Sequence, residues 1–155
     1  KTPYKIYPKV SRKLTSNKDL KNASSIEIAF KRKEISKKDV LFNPFFGLGS
    51  YFQSGEEYLF LKDAFDSGLI IYFENSFIVK HKFERSTSNV ASDNFIKAKA
   101  ALYFYEYKNL SYLFLFKFIL FLLRKRRISF KMIAKKYKVG VFAINKYKNL
   151  ISLHE

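Results

Sequence analysis

Few side chains in this sequence belong to the types that catalyse reactions or hold metals. There is no cysteine, and the two histidines, His81 and His154, are too few and too far apart in sequence for a zinc site. Asp63 and Asp66 are three residues apart, a spacing that would bring two carboxylates side by side on a helix for acid–base or metal chemistry. Because no histidine or cysteine lies near them in sequence, we interpret both as exposed helix acids.

The glycines of Gly47-Leu48-Gly49 predict a loop that is too short to cradle a phosphate. The third glycine of such loops, and the strand-to-helix context in which they occur, are both missing. The sequence therefore predicts no catalytic residue, no metal site and no cofactor. We expect that the chain is not an enzyme.

The basic residues are the side chains with the clearest chemistry. The 155-residue chain has 30 Lys plus Arg against 13 Asp plus Glu, which gives a net charge of +17. A small domain needs a net charge of magnitude only about 2–8 for solubility, so this excess predicts an anionic partner. With 48% apolar residues the chain has enough material for a folded core, and we do not expect disorder throughout.

The charge is divided into three blocks along the chain. Residues 1–40 carry +8, residues 41–76 carry −4 and residues 77–155 carry +13. Two basic ends thus flank an acidic and aromatic middle, a pattern that predicts anion contacts at the ends. We expect the 41–76 region to pack against neighbouring proteins.

The first basic block begins with residues 1–22, which we predict to be an extended tail because Pro3 and Pro8 oppose a helix. Its cations would lie along phosphates, while Tyr4 and Tyr7 would stack on exposed bases. A solvated terminus or an edge strand is the alternative for this segment. The candidate RNA-binding residues of the block are Lys5, Tyr7, Lys9, Arg12 and Lys13, with a second cluster at Lys31, Arg32 and Lys33.

Residues 124–148 form the strongest electrostatic feature of the sequence, and we name them the carboxyl-terminal basic run. The run contains ten basic residues and no acidic residue. Like charges so close in sequence repel one another unless phosphates or anionic lipids lie near them. The candidate RNA-binding residues of the run are Arg124, Lys125, Arg126, Arg127, Lys131, Lys135, Lys136, Lys138, Lys146 and Lys148.

Part of this run predicts two short helices joined by a turn at Val139-Gly140. The spacing of Ala134, Gly140 and Ile144 resembles the helix-turn-helix pattern, and the segment also resembles the peptidoglycan-binding LysM domain. The presumed recognition helix offers no Gln or Arg for bidentate readout of a base, so we do not expect sequence-specific DNA binding. A buried strand at residues 139–144 is the alternative to the two helices.

The middle of the chain predicts one helix followed by a hairpin. Ser54 can cap a short helix that Gly68 ends. Residues 69–73 and 76–83 then read as two strands around a tight turn at Glu74-Asn75. The hairpin leads us to expect an α+β fold, with a small helix-plus-β-hairpin core, one long buried helix, the basic extended tail and a basic helical pair at the carboxyl end.

The long helix is predicted to begin near Phe95, with a cap from Ser92 or Asp93. Its residues 109–123 are apolar on every side apart from Lys117, so either protein or lipid must surround them. A membrane span needs about 20 predominantly apolar residues, and the charge interrupts this stretch. We therefore predict a buried helix, with a membrane span as the alternative.

These features divide the chain into the tail at residues 1–22, an α+β core at 23–123 and a basic helical segment at 124–155. The abundance of Lys, Phe and Tyr resembles proteins encoded by AT-rich mitochondrial genomes of protists, and the lysine-rich ends on a small core resemble ribosomal proteins. The resemblance implies a structural constituent of the mitochondrial ribosome, in the matrix, that binds ribosomal RNA. The alternative is a basic accessory subunit of an inner-membrane complex with residues 109–123 in lipid.

Overall fold

The computed structural model describes residues 6–21, 23–78 and 89–153. The described residues are mainly helical, with 58% helix and 4% strand, so the expected α+β fold is wrong. It divides into two compact units. The amino-terminal unit comprises residues 1–43 and 56–85, and the carboxyl-terminal unit comprises residues 44–55 and 86–155.

The amino-terminal unit is built around helix α3. Helix α1 spans Asn17–Leu20, α2 spans Arg32–Lys37 and α3 spans Glu56–Asp66, with a turn of 3₁₀ helix at Ser25–Glu27. Helix α1 packs against α3, and Leu20 and Leu59 are fully buried there. The small core of this unit therefore consists of the apolar face of α3 and the side chains that cover it.

Helix α3 ends as the sequence predicts. The amide of Gly68 donates to the carbonyl of Phe65, and the amide of Leu69 donates to that of Ala64. This pair of hydrogen bonds is the Schellman arrangement, which needs a residue with positive φ, and Gly68 supplies it with φ +85°. The predicted termination at Gly68 is confirmed.

The predicted β-hairpin is wrong, because strand β2 pairs with the tail. Strand β1, Arg12–Lys13, and strand β2, Tyr72–Phe73, are antiparallel, with Arg12 opposite Phe73. The side chain of Asn75 donates to the carbonyl of Lys9, so the turn after β2 is also tied to the tail. Residues 76–78 lie outside any strand and are exposed, and residues 79–83 lie outside the described part of the chain.

The carboxyl-terminal unit is a bundle of three helices that pack pairwise against one another. Helix α4 spans Asp93–Tyr107, α5 spans Ser111–Arg124 and α6 spans Ile133–Ser152, with 3₁₀ turns at Lys108–Leu110 and Phe130–Met132. The side chains at its centre are Ile96, Ala100, Leu115, Ile119, Leu122 and Ile144, all fully buried. Ser92 caps α4, as predicted, by accepting a hydrogen bond from the amide of Phe95.

The single long helix predicted from Phe95 to Leu123 is instead two helices. Lys108 has φ +48° and ψ −120°, which no helix accommodates, and the chain turns there from α4 into α5. The turn lets the two helices pack together, and Tyr107 stacks on Phe114 with ring centroids 4.0 Å apart. Helix α5 is consequently buried along one face only, whereas the sequence predicts burial on every side.

The helical pair predicted at the carboxyl end is a single continuous helix. Val139 and Gly140 lie inside α6, so neither a turn nor a buried strand forms there. Leu115 packs closely on Gly140: a Cβ at this position would lie 2.5 Å from Cδ1 of Leu115. The glycine that resembled the turn of a helix-turn-helix therefore allows α5 and α6 to approach closely.

Candidate nucleic-acid interface

Four consecutive basic residues, Arg124 to Arg127, form the turn that ends α5, and all four side chains are exposed. The amide of Arg126 donates to Leu123 and that of Arg127 donates to Leu122, which is again the Schellman arrangement. Here the residue with positive φ is Arg126, at +54°, in place of the usual glycine. A strained arginine is therefore held on a tight turn beside three other cations, at the negative end of the α5 dipole.

The basic run continues along one stripe of the 3₁₀ turn Phe130–Met132 and of α6. Lys131, Lys135, Lys138 and Phe142 follow one another at intervals of four, three and four residues, and all four are exposed. Side chains at such intervals are neighbours on a helix surface, with Cβ atoms about 5–6 Å apart. The stripe is thus a row of three ammonium groups that ends in an aromatic ring.

This stripe borders an open depression of about 660 Å³, which we name the α6 depression. Lys97 of α4 lines it together with the three lysines of the stripe. The residues that line the depression are Lys97, Lys131, Lys135 and Lys138, with Ala134, Val139 and Phe142. Among the described residues, none of the four lysines forms an ion pair.

Asp93 is the acidic residue near the depression. Hydrogen bonding from Lys136 lowers the pKa of its carboxyl group, and the charges of Lys136, Lys135 and Lys97 lower it further, while burial opposes them. Asp93 is therefore ionised at neutral pH. Because its carboxylate is bonded to Lys136, it offsets only part of the positive potential of the other lysines.

Comparison with known proteins gave no match. No protein family model fits the sequence, and no curated protein and no solved structure is significantly similar to it.

Lys136 differs from the other candidates of the run, because it is buried. Its ammonium group lies 2.6 Å from the carbonyl of Ala91 and 2.8 Å from the carboxylate of Asp93. These contacts join α6 to the beginning of α4. We therefore assign Lys136 a role in the fold and remove it from the candidate RNA-binding residues.

Lys146 and Lys148 are partly buried and lie on aromatic rings. The ammonium of Lys146 is 5.0 Å from the ring centre of Tyr51, and that of Lys148 is 5.0 Å from Phe104 and 5.2 Å from Tyr112. Such cation–π contacts stabilise a folded unit. Seven exposed candidates remain in the run: Arg124, Lys125, Arg126, Arg127, Lys131, Lys135 and Lys138.

The candidates of the tail are partly engaged within the amino-terminal unit. The hydroxyl of Tyr7 donates to Glu27, and its ring stacks on Phe73. The guanidinium of Arg12 pairs with Asp19 and, together with Ser16, lowers the pKa of that carboxyl to about 2. Tyr7 is thus occupied by protein, in contrast to the predicted stacking on RNA bases.

The remaining candidates of the amino-terminal unit are Lys9, Lys13 and the cluster Lys31 to Lys33, all of which are exposed. Lys13 lies in β1, and Arg32 and Lys33 begin α2. Lys5 lies outside the described residues. Exposed cations are therefore present on this unit as well, although the acid-free run of the carboxyl-terminal unit is denser.

Two residues of the depression, Lys97 and Phe142, were not predicted from the sequence. Phe142 is 64% exposed and lies one turn from Lys138 on the same stripe. If the sequence had predicted α6 as one helix, Phe142 would have been placed on the stripe with Lys138. The predicted turn at Gly140 instead separated these two residues. Lys97 has no such signal, because its position depends on the packing of α4 against α6.

Helix α5 presents a second surface, with an exposed apolar stripe formed by Leu113, Phe116, Leu120 and Phe121. Lys117 interrupts this stripe and is exposed too. Within residues 6–21, 23–78 and 89–153, none of the helices combines the length and the apolar character that crossing a membrane would require.

The acidic pair of α3, Asp63 and Asp66, belongs to the amino-terminal unit and is distant in sequence from these basic residues. Asp66 accepts a hydrogen bond from Lys62, four residues earlier. In the part of the chain that the structure describes, no three His, Cys, Asp or Glu side chains come together as a metal site would need.

Proposed function

We propose that this protein is a structural RNA-binding protein, a constituent of the mitochondrial ribosome that holds ribosomal RNA through its basic surfaces. The observation that carries the proposal is the row of seven exposed cations between Arg124 and Lys138, with no acidic residue among them. Phosphates are the partner that such a row fits best, because each cation can meet one phosphate and release a counterion.

The geometry of the row supports RNA contacts along a strand. Arginines at the α5 turn have planar guanidinium groups that bind phosphates in two-point contacts, while the lysines on α6 act as point charges. Both groups belong to the same helical unit. Folding of the bundle therefore holds close together cations that repel one another, and RNA would relieve that repulsion.

The ribosomal assignment rests on composition and on the distribution of charge. The 41–76 region, which we propose to contact neighbouring proteins, has large exposed apolar side chains at Leu41, Phe42, Leu48, Tyr51 and Ile70. Exposed apolar groups in such number suit a protein that is buried within an assembly. In this role the chain is a scaffold without turnover.

Sedimentation with ribosomal particles tests this function. The tagged protein should co-sediment with mitochondrial ribosomal particles at low salt and be released at high salt, because screened phosphate contacts weaken steeply. A variant with Lys131, Lys135 and Lys138 changed to Gln should be released at lower salt. Sedimentation of the protein away from ribosomal particles at every salt concentration would contradict the proposal.

A second candidate function is an accessory subunit of an inner-membrane complex. The exposed stripe of Leu113, Phe116, Leu120 and Phe121 on α5 favours it, with Arg124 to Arg127 beside anionic head groups. We rank it second, because three of the seven cations lie beyond the end of α5, on the 3₁₀ turn and on α6. Alkaline carbonate extraction separates the two, since an integral subunit stays with the membrane and a ribosomal protein is released.

A further inference from the structure

On the basis of the proposed RNA binding, we infer that the α6 depression takes one unpaired nucleotide, with its base on the ring of Phe142 and its flanking phosphates on the surrounding lysines. The base would be one that an RNA loop or bulge turns outward. The depression is open to solvent and has a volume of about 660 Å³.

The surroundings of Phe142 support the stacking. The ring is 64% exposed. Other residues of the same helix, Ala143, Ile144 and Tyr147, form its buried face, so Phe142 is not needed for the packing of α6. A single exposed apolar residue is common on protein surfaces. This one differs because it lines the same depression as four lysines, a combination of aromatic ring and positive charge that is typical of single-strand binding surfaces.

The arrangement of the lysines fits phosphates on both sides of such a base. Lys135 and Lys138 lie on α6, Lys131 lies on the 3₁₀ turn that precedes it, and Lys97 lies on α4. In the inferred site these cations would meet the phosphates on either side of the stacked base. Ala134 and Val139 also line the depression.

A continuous duplex would use this site poorly. In an A-form helix the bases are stacked inside, and their faces are not open to a side chain. A duplex would therefore meet the lysines through its phosphates without reaching Phe142. The depression should accordingly prefer single-stranded RNA to duplex, and this preference should depend on the aromatic ring.

Fluorescence anisotropy of the full-length chain with two labelled RNAs tests the inference. The probes are a twelve-residue adenylate strand and a twelve-base-pair RNA duplex, and the variants are Phe142→Leu and the control Phe130→Leu. Phe130 is 78% exposed and does not line the depression. Phe142→Leu should weaken binding of the single strand about five- to a hundredfold and leave duplex binding unchanged within about twofold. Phe130→Leu should change neither.

The outcomes separate the inference from the proposed function. If Phe142→Leu leaves single-strand binding unchanged, or weakens both RNAs equally, the nucleotide site is wrong while RNA binding by the basic run stands. If the unmodified protein retains neither RNA at low salt, the proposed function fails and the nucleotide site fails with it. Because Phe142 is exposed, the leucine variant should unfold at the same temperature as the parent.

A pair of lysine variants tests the cation from α4. Lys97→Gln should weaken the single strand and make its binding less dependent on salt, by about one released counterion. Lys117→Gln removes the same charge from an exposed position on α5 that does not line the depression. A Lys97→Gln variant that binds the single strand as Lys117→Gln does would contradict the role of Lys97.

Discussion

Lys136 and Asp93 are joined by a hydrogen-bonded ion pair of 2.8 Å, which ties the beginning of α6 to the beginning of α4. The side chain of Lys136 is nearly buried, whereas its neighbour Lys135 is exposed at the α6 depression. Two consecutive lysines of the basic run therefore have different roles. One stabilises the fold, and the other is available to an anionic partner.

Substitution of these two lysines should separate stability from RNA binding. Lys136→Met should lower the free energy of unfolding by about 1–2 kcal/mol, because it removes charge-assisted hydrogen bonds to Ala91 and Asp93. The double variant Lys136→Met, Asp93→Asn, which leaves no unpaired carboxylate, should bind RNA as the parent does below the unfolding transition. Lys135→Met should leave stability within about 0.5 kcal/mol and weaken RNA binding. Urea unfolding and RNA titration measure the two effects, and equal behaviour of the two variants would contradict the division.

Arg126→Gly should stabilise the protein while weakening RNA binding. The positive φ of Arg126 strains a residue with a side chain, and glycine should raise the free energy of unfolding by about 0.5–1 kcal/mol. Arg127→Gly is the matched control, because it removes the same charge from a residue without positive φ and should not stabilise. Denaturant unfolding checks the sign. If Arg126→Gly destabilises the protein as much as Arg127→Gly does, the backbone of Arg126 is not strained.

Gly140→Ala should destabilise the helical bundle despite the higher helix propensity of alanine. The new Cβ would lie 2.5 Å from Cδ1 of Leu115, which is fully buried, so we expect a net loss of about 1–2 kcal/mol. In a Leu115→Ala background the clash is absent, and the same substitution should become stabilising by about 0.5–1 kcal/mol. Thermal or urea unfolding of the four proteins gives the comparison. A stabilising Gly140→Ala in the parent would show that the close approach is not required.

Asp19 should make stability depend on acid pH. Its pKa is lowered to about 2 by hydrogen bonds from Arg12 and Ser16, against burial that opposes them, from a value of 3.8. A carboxyl whose pKa is lower in the folded state contributes stability above its unfolded pKa, and this contribution is lost as the pH falls through the folded value. The difference in unfolding free energy between the parent and Asp19→Asn should therefore shrink between about pH 4 and pH 2. A difference that stays constant over this range would contradict the lowered pKa.

The features that the sequence predicted correctly are those with local causes. Gly68 ends α3 because a positive φ is needed there, and Ser92 caps α4 through its own side chain. The errors have non-local causes. Strand β2 pairs with the tail and not with its sequence neighbours, and Gly140 lies inside a helix because Leu115 of another helix packs on it.

The candidate site was predicted in part for the same reason. The charge of residues 124–138 is visible in the sequence, but the burial of Lys136 and the approach of Lys97 both depend on the packing of α4 against α6. The helical spacing of Phe142 from Lys138 would have placed both residues on one stripe. The predicted turn at Gly140 separated them.

The salt dependence of RNA affinity tests most directly whether phosphates are the partner of the basic run. With seven cations in contact, the affinity of the unmodified protein for a structured RNA should fall about a thousand- to a hundred-thousandfold between about 50 and 200 mM salt. The variant with Lys131, Lys135 and Lys138 changed to Gln should lose about two to three units of the slope of log affinity against log salt. The control Lys38→Gln, Lys108→Gln, Lys117→Gln changes three exposed lysines outside the candidate set, has the same net charge and should keep the parental slope. Affinity that does not change with salt, or equal slopes for the two triple variants, would contradict RNA binding through this surface.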